Sequence, residues 1–257
     1  MITWFPLFEE DLFVTMQVAV LAKDGLIVLA GDTKIRSQDR TYTDQPAIPY
    51  GMVNHSKIVF GEHHDVAVAF AGHADTGRRP ALELAQYLSS LPSLPQMLGP
   101  TLTSWGAGFF KNEFGDSPQR DYPICSMLVV NPKAPCPFWK LNVNKISTED
   151  SSCTVMVNGL GTNAAIFWLE YFRTDKTRTL DLDVATGIAS TTILMAGELD
   201  SYRIGGLEVY RYTGKWDPLG PSEIDGIHAS FDNLEKELHR LVPKMSVRPE
   251  NRHVLES

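Results

Sequence analysis

The chain has 257 residues, of which 43% are apolar and 21% charged, with 19 glycines and 16 prolines, a composition that fits a globular protein with one ordinary core. Lys and Arg number 23 against 31 Asp and Glu, a formal net charge of −8, and no basic stripe supplies the phosphate attraction that nucleic-acid binding requires. No apolar run approaches the ~20 residues of a membrane span, and Met1–Asp11 lacks the basic flank of a secretory signal. Cys125, Cys136 and Cys153, an odd set at wide spacing, fit free thiols in a reducing compartment. The expectation is a cytoplasmic protein with no nucleic-acid and no membrane partner.

Phe13–Ala22 and Leu26–Ala30 are strand-like runs separated by Asp24-Gly25, a dipeptide suited to a two-residue type I′ turn. An ideal turn of that kind sets Lys23 opposite Leu26 and Gln17 opposite Asp32. Asp39–Asn54 is polar. Lys57–Phe60 and Asp65–Ala71 then form a second strand pair. Ala81, Leu82, Leu84, Ala85, Tyr87 and Leu88 recur at helical spacing and predict a helix over Ala74–Leu91. A second helix is expected within Pro95–Phe114, kinked or delayed by Gly99-Pro100.

Strands return at Ile124–Asn131, Phe138–Val143 and Thr154–Asn158, followed by helices from Gly161 to about Phe172 and over Leu182–Tyr202, and a final strand over Gly206–Tyr212. Strands in blocks with helices in pairs argue for an α+β body of layered sheets and against an alternating βαβ fold. In the tail, Ile224, Ile227, Phe231, Leu234, Leu238 and Leu241 form an apolar stripe on one helix that ends before Pro243. Its two readings are a helix docked on its own domain and a helix that binds a partner.

Several chemistries can be set aside. Gly159-Leu160-Gly161 opens a helix with acids at Asp181 and Asp183, but four leading strands deny it the doubly wound context of a dinucleotide site. Adjacent His63 and His64 point to opposite faces of a strand and no Cys/His cluster has zinc spacing. Neither a cofactor nor a metal is expected. There is also no Gly-x-Ser-x-Gly elbow, His-Glu-x-x-His or phosphate-cradling loop.

Five segments in order carry a different signal: the hairpin Met16–Thr33, Ser56-Lys57-Ile58, the strand Val66–Asp75, the Gly159-Leu160-Gly161 turn with its helix to Glu170, and Ile204-Gly205-Gly206. Together they resemble 20S proteasome subunits and the peptidase subunit of the bacterial two-component ATP-dependent protease, over residues 15–212. The resemblance implies a four-layer αββα sandwich, with two antiparallel sheets between helical layers, of the N-terminal-nucleophile (Ntn) hydrolase type. It divides the chain into an extension or propeptide (residues 1–14), the hydrolase-like domain (15–212) and a C-terminal extension bearing the amphipathic helix (213–257).

In active members of that family a threonine freed by self-cleavage is the nucleophile and its α-amine the proton acceptor. Carried over, the tuning residues are Asp32 and Lys57, and Gly72 supplies an oxyanion-binding amide. The nucleophile position is ambiguous. Counting back from Asp32 reaches Met16, whose thioether cannot attack a carbonyl, whereas counting back from Lys23-Asp24-Gly25 reaches Thr15. Leu160 and Ile204 stand where active members carry serines, Asp200 and Ser201 lie near the second acid, and Val14 replaces the usual glycine before the cleavage point.

Two functions follow. One is a catalytically degenerate subunit with a structural or interaction role in a homo-oligomer or an assembly of related subunits. The other is a self-processed threonine-type peptidase or amidase acting on a peptide or amide through Thr15, Asp32, Lys57 and Gly72.

Overall fold

The computed structural model describes residues 15–36, 52–54, 56–63, 65–71, 74–114, 126–142, 147–150, 154–159, 180–199 and 204–241. They fall into two units, one ending at Leu219 and one beginning at Gly220. The first is built on β1 (Met16–Leu21), β2 (Ile27–Gly31), β3 (Lys34–Arg36), β4 (Met52–Asn54), β5 (Ile58–Phe60), β6 (Ala67–Ala71), α1 (Ala74–Ser90) and α2 (Gly99–Phe114). It continues with β7 (Ser126–Val130), β8 (Phe138–Asn142), β9 (Ser147–Asp150), β10 (Val155–Gly159), α3 (Leu182–Leu199), β11 (Glu208–Tyr212) and β12 (Trp216–Pro218).

The strands make two five-stranded antiparallel sheets, one ordered β10-β1-β2-β11-β12 and the other β5-β6-β7-β8-β9, plus the β3-β4 ribbon. Alternation of side chains along each strand gives the two five-stranded sheets apolar residues on both faces. Ala19, Ile27 and Leu29 of the first sheet meet Ile58, Ala67, Ala69, Leu128, Val130 and Phe138 of the second in the inter-sheet core. The opposite parity of the second sheet, Val59, Val68, Phe70, Met127 and Val129, packs against Leu84 and Leu88 of α1, Leu98 just ahead of α2 and Leu102 within α2. Helix α3 lies on β1 and β2. Helices, sheet, sheet and helix are the four layers expected from the sequence.

Gly99 and Pro100 delay the second helix, one of the two expected effects, and stand at the start of α2, where a proline in the first turn lacks only an N–H that has no intrahelical partner. Four short strands were not foreseen: β3, β4, β9 and β12. β12 extends the first sheet beyond Tyr212, where the last strand was expected. The helix expected over 161–172 lies outside the described residues. In the second unit, the C-terminal helix α4 spans Pro221–Leu241.

The β1–β2 turn corrects the expected register. Asp24 (φ 59°, ψ 23°) and Gly25 (φ 77°) have the left-handed pair of conformations of a type I′ turn. However, the Ala22 N–H donates to Leu26 O at 2.7 Å while the Leu26 N–H donates to Lys23 O at 3.2 Å. Ala22 and Lys23 thus share one opposing residue, and the Lys23 N–H is released to Leu180 O at 2.8 Å. This bulge shifts the ladder by one residue, so that Gln17 faces Gly31 and not Asp32.

Gly159 ends β10 opposite Met16 with φ +92°, and a Cβ built there would collide with the Thr15 carbonyl oxygen. Gly159→Ala combines a strained φ with overpacking against main chain, for a cost of roughly 2–4 kcal/mol. Thermal unfolding should register this as a Tm lowered by roughly 5–15 °C.

Candidate functional site

At one end of the inter-sheet core, residues that are distant in sequence converge. Asp32 follows β2 in the first sheet and Lys57 precedes β5 in the second, so a contact between them joins the two layers. The Lys57 ammonium donates to Asp32 Oδ2 at 2.8 Å and to Thr15 Oγ1 at 3.0 Å. Asp32 Oδ1 accepts from the Met16 N–H at 2.9 Å, and the Asp32 N–H donates to Met16 O at 3.1 Å. Thr15, Asp32 and Lys57 are all buried, at 2%, 0% and 4% exposure.

The sequence ambiguity between Thr15 and Met16 has a geometric resolution. Met16 lies opposite Asp32 and its main chain grips the Asp32 main chain and carboxylate, while the Thr15 hydroxyl reaches the ammonium. The bulge that shifts the ladder does not remove Thr15 from the cluster, because Asp32 stands beyond the last paired residue of β2 and the Lys57 ammonium bonds both side chains. Burial pushes the Asp32 carboxyl above the ordinary carboxylate range against the pull of Lys57. The same burial pushes the Lys57 ammonium down against the pull of Asp32. Each ion is stable there chiefly because the other is present.

A polar girdle, not foreseen from the sequence, surrounds the pair. Gln17 Nε2 donates to Phe70 O at 2.7 Å, and Asn158 Nδ2 donates to Gln17 Oε1 at 2.8 Å. These bonds tie β1 and β10 of one sheet to β6 of the other. Glu208 Oε1 accepts the Lys57 main-chain N–H at 2.8 Å. Burial raises the Glu208 carboxyl to about 7, with bonds from Ser56 and the Lys57 N–H opposing the rise. The available signal was polar residues at inward positions of apolar strands: Gln17 between Met16 and Val18, Asn158 after Val155–Val157, and Glu208 in phase with Tyr210 and Tyr212.

Ile204 is buried, at 1% exposure, ahead of Gly205, whose carbonyl accepts from the N–H groups of Thr33 and Lys34. Gly72, Leu160, Asp200 and Ser201 lie outside the described residues. Among the described residues no group of three or more His, Cys, Asp or Glu side chains gathers to hold a metal ion, and no helix is long and apolar enough to cross a membrane.

The fold is similar to that of three solved structures. HslV from Trypanosoma brucei superposes with a TM-score of 0.56 at 15% identity, over 77% of this chain and 98% of that one. Anbu, described as an ancestral beta-subunit, from Yersinia bercovieri gives 0.64 at 12% identity, over 91% and 100%. This is the proteasome-like Ntn-hydrolase fold. An Anbu Gly-1 mutant from Hyphomicrobium sp. strain MC1 gives 0.61 at 11% identity, over 88% and 96%. No protein-family model and no curated protein matches the sequence. Within the Ntn-hydrolase fold, the Thr15–Lys57–Asp32 cluster sits at the end of the β1–β2 ribbon where the two sheets are bridged.

Two measurements probe this site. Lys57→Met leaves a buried carboxylate without its cation and should cost about 3–5 kcal/mol in urea unfolding, whereas Lys57→Met with Asp32→Asn should cost less than the two single changes summed. Burial carries the Glu208 carboxyl from its ordinary 4.5 up to about 7 in the folded chain. Across that interval the folded chain holds more protons than the unfolded one, so its contribution to stability is present at the acid end and lost as pH rises through about 7. The slope is at most about 1.4 kcal/mol per pH unit. Glu208→Gln should abolish that fall in denaturation series run from about pH 5 to about pH 8.

Proposed function

We propose that this chain is a threonine-type amide hydrolase, a self-processed peptidase whose nucleophile is the Thr15 hydroxyl. The observation supporting this reading is the Lys57 ammonium held between Thr15 Oγ1 at 3.0 Å and Asp32 Oδ2 at 2.8 Å in a buried corner. A hydroxyl is a weak nucleophile at its ordinary pKa and requires both a proton acceptor and a stabilised alkoxide. The neighbouring ammonium supplies the second, in a low-dielectric setting where its charge is felt strongly.

Maturation supplies the first. Thr15 Oγ attacks the Val14 carbonyl carbon, the peptide bond to the Thr15 nitrogen breaks, and an ester is left on Oγ. Water hydrolyses that ester, releasing residues 1–14 with a Val14 carboxylate and leaving a free α-amine on Thr15. The amine then takes the hydroxyl proton as Oγ attacks the carbonyl of a bound peptide, and returns it to the departing amine. Water clears the resulting acyl-enzyme. Asp32 fixes the Lys57 ammonium throughout, and the Gly72 amide is the proposed donor to the oxyanion. The reading places the protein in the cytoplasm, in a homo-oligomer or with related subunits.

A second reading, a non-catalytic subunit of such an assembly, is favoured by buried Ile204 at the position where the resemblance implies a hydroxyl. Intact mass separates the two. The enzyme reading expects a mature chain beginning at Thr15, and retention of Val14 excludes it. An electrophilic probe directed at N-terminal threonine should label the purified wild type and not Thr15→Ala; equal labelling of both would remove Thr15 from the mechanism. Deleting residues 221–257 and sizing the product tests assembly through the C-terminal helix, for which a smaller oligomer is expected.

A further inference from the structure

The proposed mechanism leaves one charged group unused: Glu208, whose carboxylate reaches Lys57 from the opposite sheet. Lys57 is the last residue before β5, and its peptide groups are held on both sides. Its carbonyl accepts the Phe70 N–H of β6 at 3.0 Å, within its own sheet. Its N–H crosses to Glu208 Oε1 on β11, at 2.8 Å. Glu208 lies opposite Gly31, and its Oε1 would stand 3.6 Å from a Cβ built on that glycine. The carboxylate thus lies at van der Waals distance over the strand that leads into Asp32. The Ser56 hydroxyl, which donates to Ile58 O at 2.9 Å, opposes the rise of the Glu208 carboxyl, and the Tyr210 hydroxyl approaches Oε2 at 3.5 Å.

We infer that Glu208 is a positioning residue of this site: by accepting the Lys57 main-chain N–H across the sheets, it sets where the Lys57 ammonium stands between Asp32 and Thr15. A carboxylate is a stronger acceptor for that N–H than a neutral acid, so the hold on Lys57 tightens as Glu208 ionises. The charged and titratable groups around it are Asp32, Lys57 and the Tyr210 hydroxyl. Ionised Glu208 makes the corner one unit more negative and favours the charged form of Lys57. Its titration near 7 places that change in the neutral range, and the site gains a pH-responsive element that does not itself touch the substrate. The catalytic part of this inference rests on the Thr15 reading; the structural part does not.

The test uses the full chain in wild-type, Glu208→Gln and Glu208→Leu forms, with two readouts independent of turnover. Amide hydrogen exchange at Lys57 should accelerate by about tenfold in Glu208→Leu, the scale of one lost hydrogen bond. The Lys57 Cε resonance should show an inflection near pH 7 in wild type that is absent in Glu208→Gln. The isosteric glutamine keeps an acceptor oxygen, so it supplies the titration result should the leucine variant fold poorly.

Peptide turnover by the processed proteins should show a lower kcat at unchanged KM in Glu208→Leu, and the acid limb of the kcat profile should shift in Glu208→Gln. Unaltered Lys57 exchange in Glu208→Leu, or the same Cε inflection in Glu208→Gln, overturns the inference. A wild type without turnover, but with the exchange and titration differences present, keeps Glu208 as the support of Lys57 and removes the nucleophile reading.

Discussion

Two sheets pressed together by aliphatic side chains can slide, because apolar contact is nearly indifferent to register. What fixes this sandwich at one end is a short ion pair between Asp32 on one layer and Lys57 on the other, at 2.8 Å and with almost no exposure. Such a pair contributes little net stability over an apolar substitute, since desolvation offsets much of the attraction. Its value is directional. The Met16 N–H, the Thr15 hydroxyl and the Glu208 carboxylate all take their places relative to it.

The girdle of Gln17 and Asn158 extends the same logic one layer inward. Main-chain oxygens of Phe70, Ala69 and Ser126 in the second sheet accept from side-chain amides of the first. Hydrogen bonds of this kind specify a relative position that hydrophobic burial leaves open. This corner of the sandwich is therefore held in place, and the Thr15 hydroxyl stands within hydrogen-bond reach of the Lys57 cation on a rigid support.

Much of the scaffold was legible because its signals are local. Asp24-Gly25 marks a turn, and the apolar spacing over Ala81–Leu88 marks a helix, whatever the rest of the molecule does. β9 and β12 were illegible for the converse reason. Ser147-Thr-Glu-Asp has no apolar alternation, and β12 is a short edge strand tied to its sheet by ladder pairing to β11 and held by the Trp216 Nε1 bond to Asp65 O at 2.6 Å. Both depend on neighbours already in place. At the site, Thr15, Asp32 and Lys57 were named through resemblance, since no spacing rule reveals an ion pair closed across two sheets. Glu208 and Asn158 went unnamed because an inward polar residue shows its purpose only once the opposing layer is known.

The bulge at Ala22 and Lys23 carries a consequence for how such a chain can vary. It lies at the tip of the β1–β2 ribbon, the end remote from the Asp32–Lys57 pair, yet it decides which backbone amide meets the Asp32 carboxylate. Losing a single residue at that tip would slide one edge of the ribbon along the other and present a different neighbour to the acid. The length of an exposed loop is thereby coupled to the buried ion pair at the far end of the strands, and tolerance to insertion there should be far lower than its solvent position suggests.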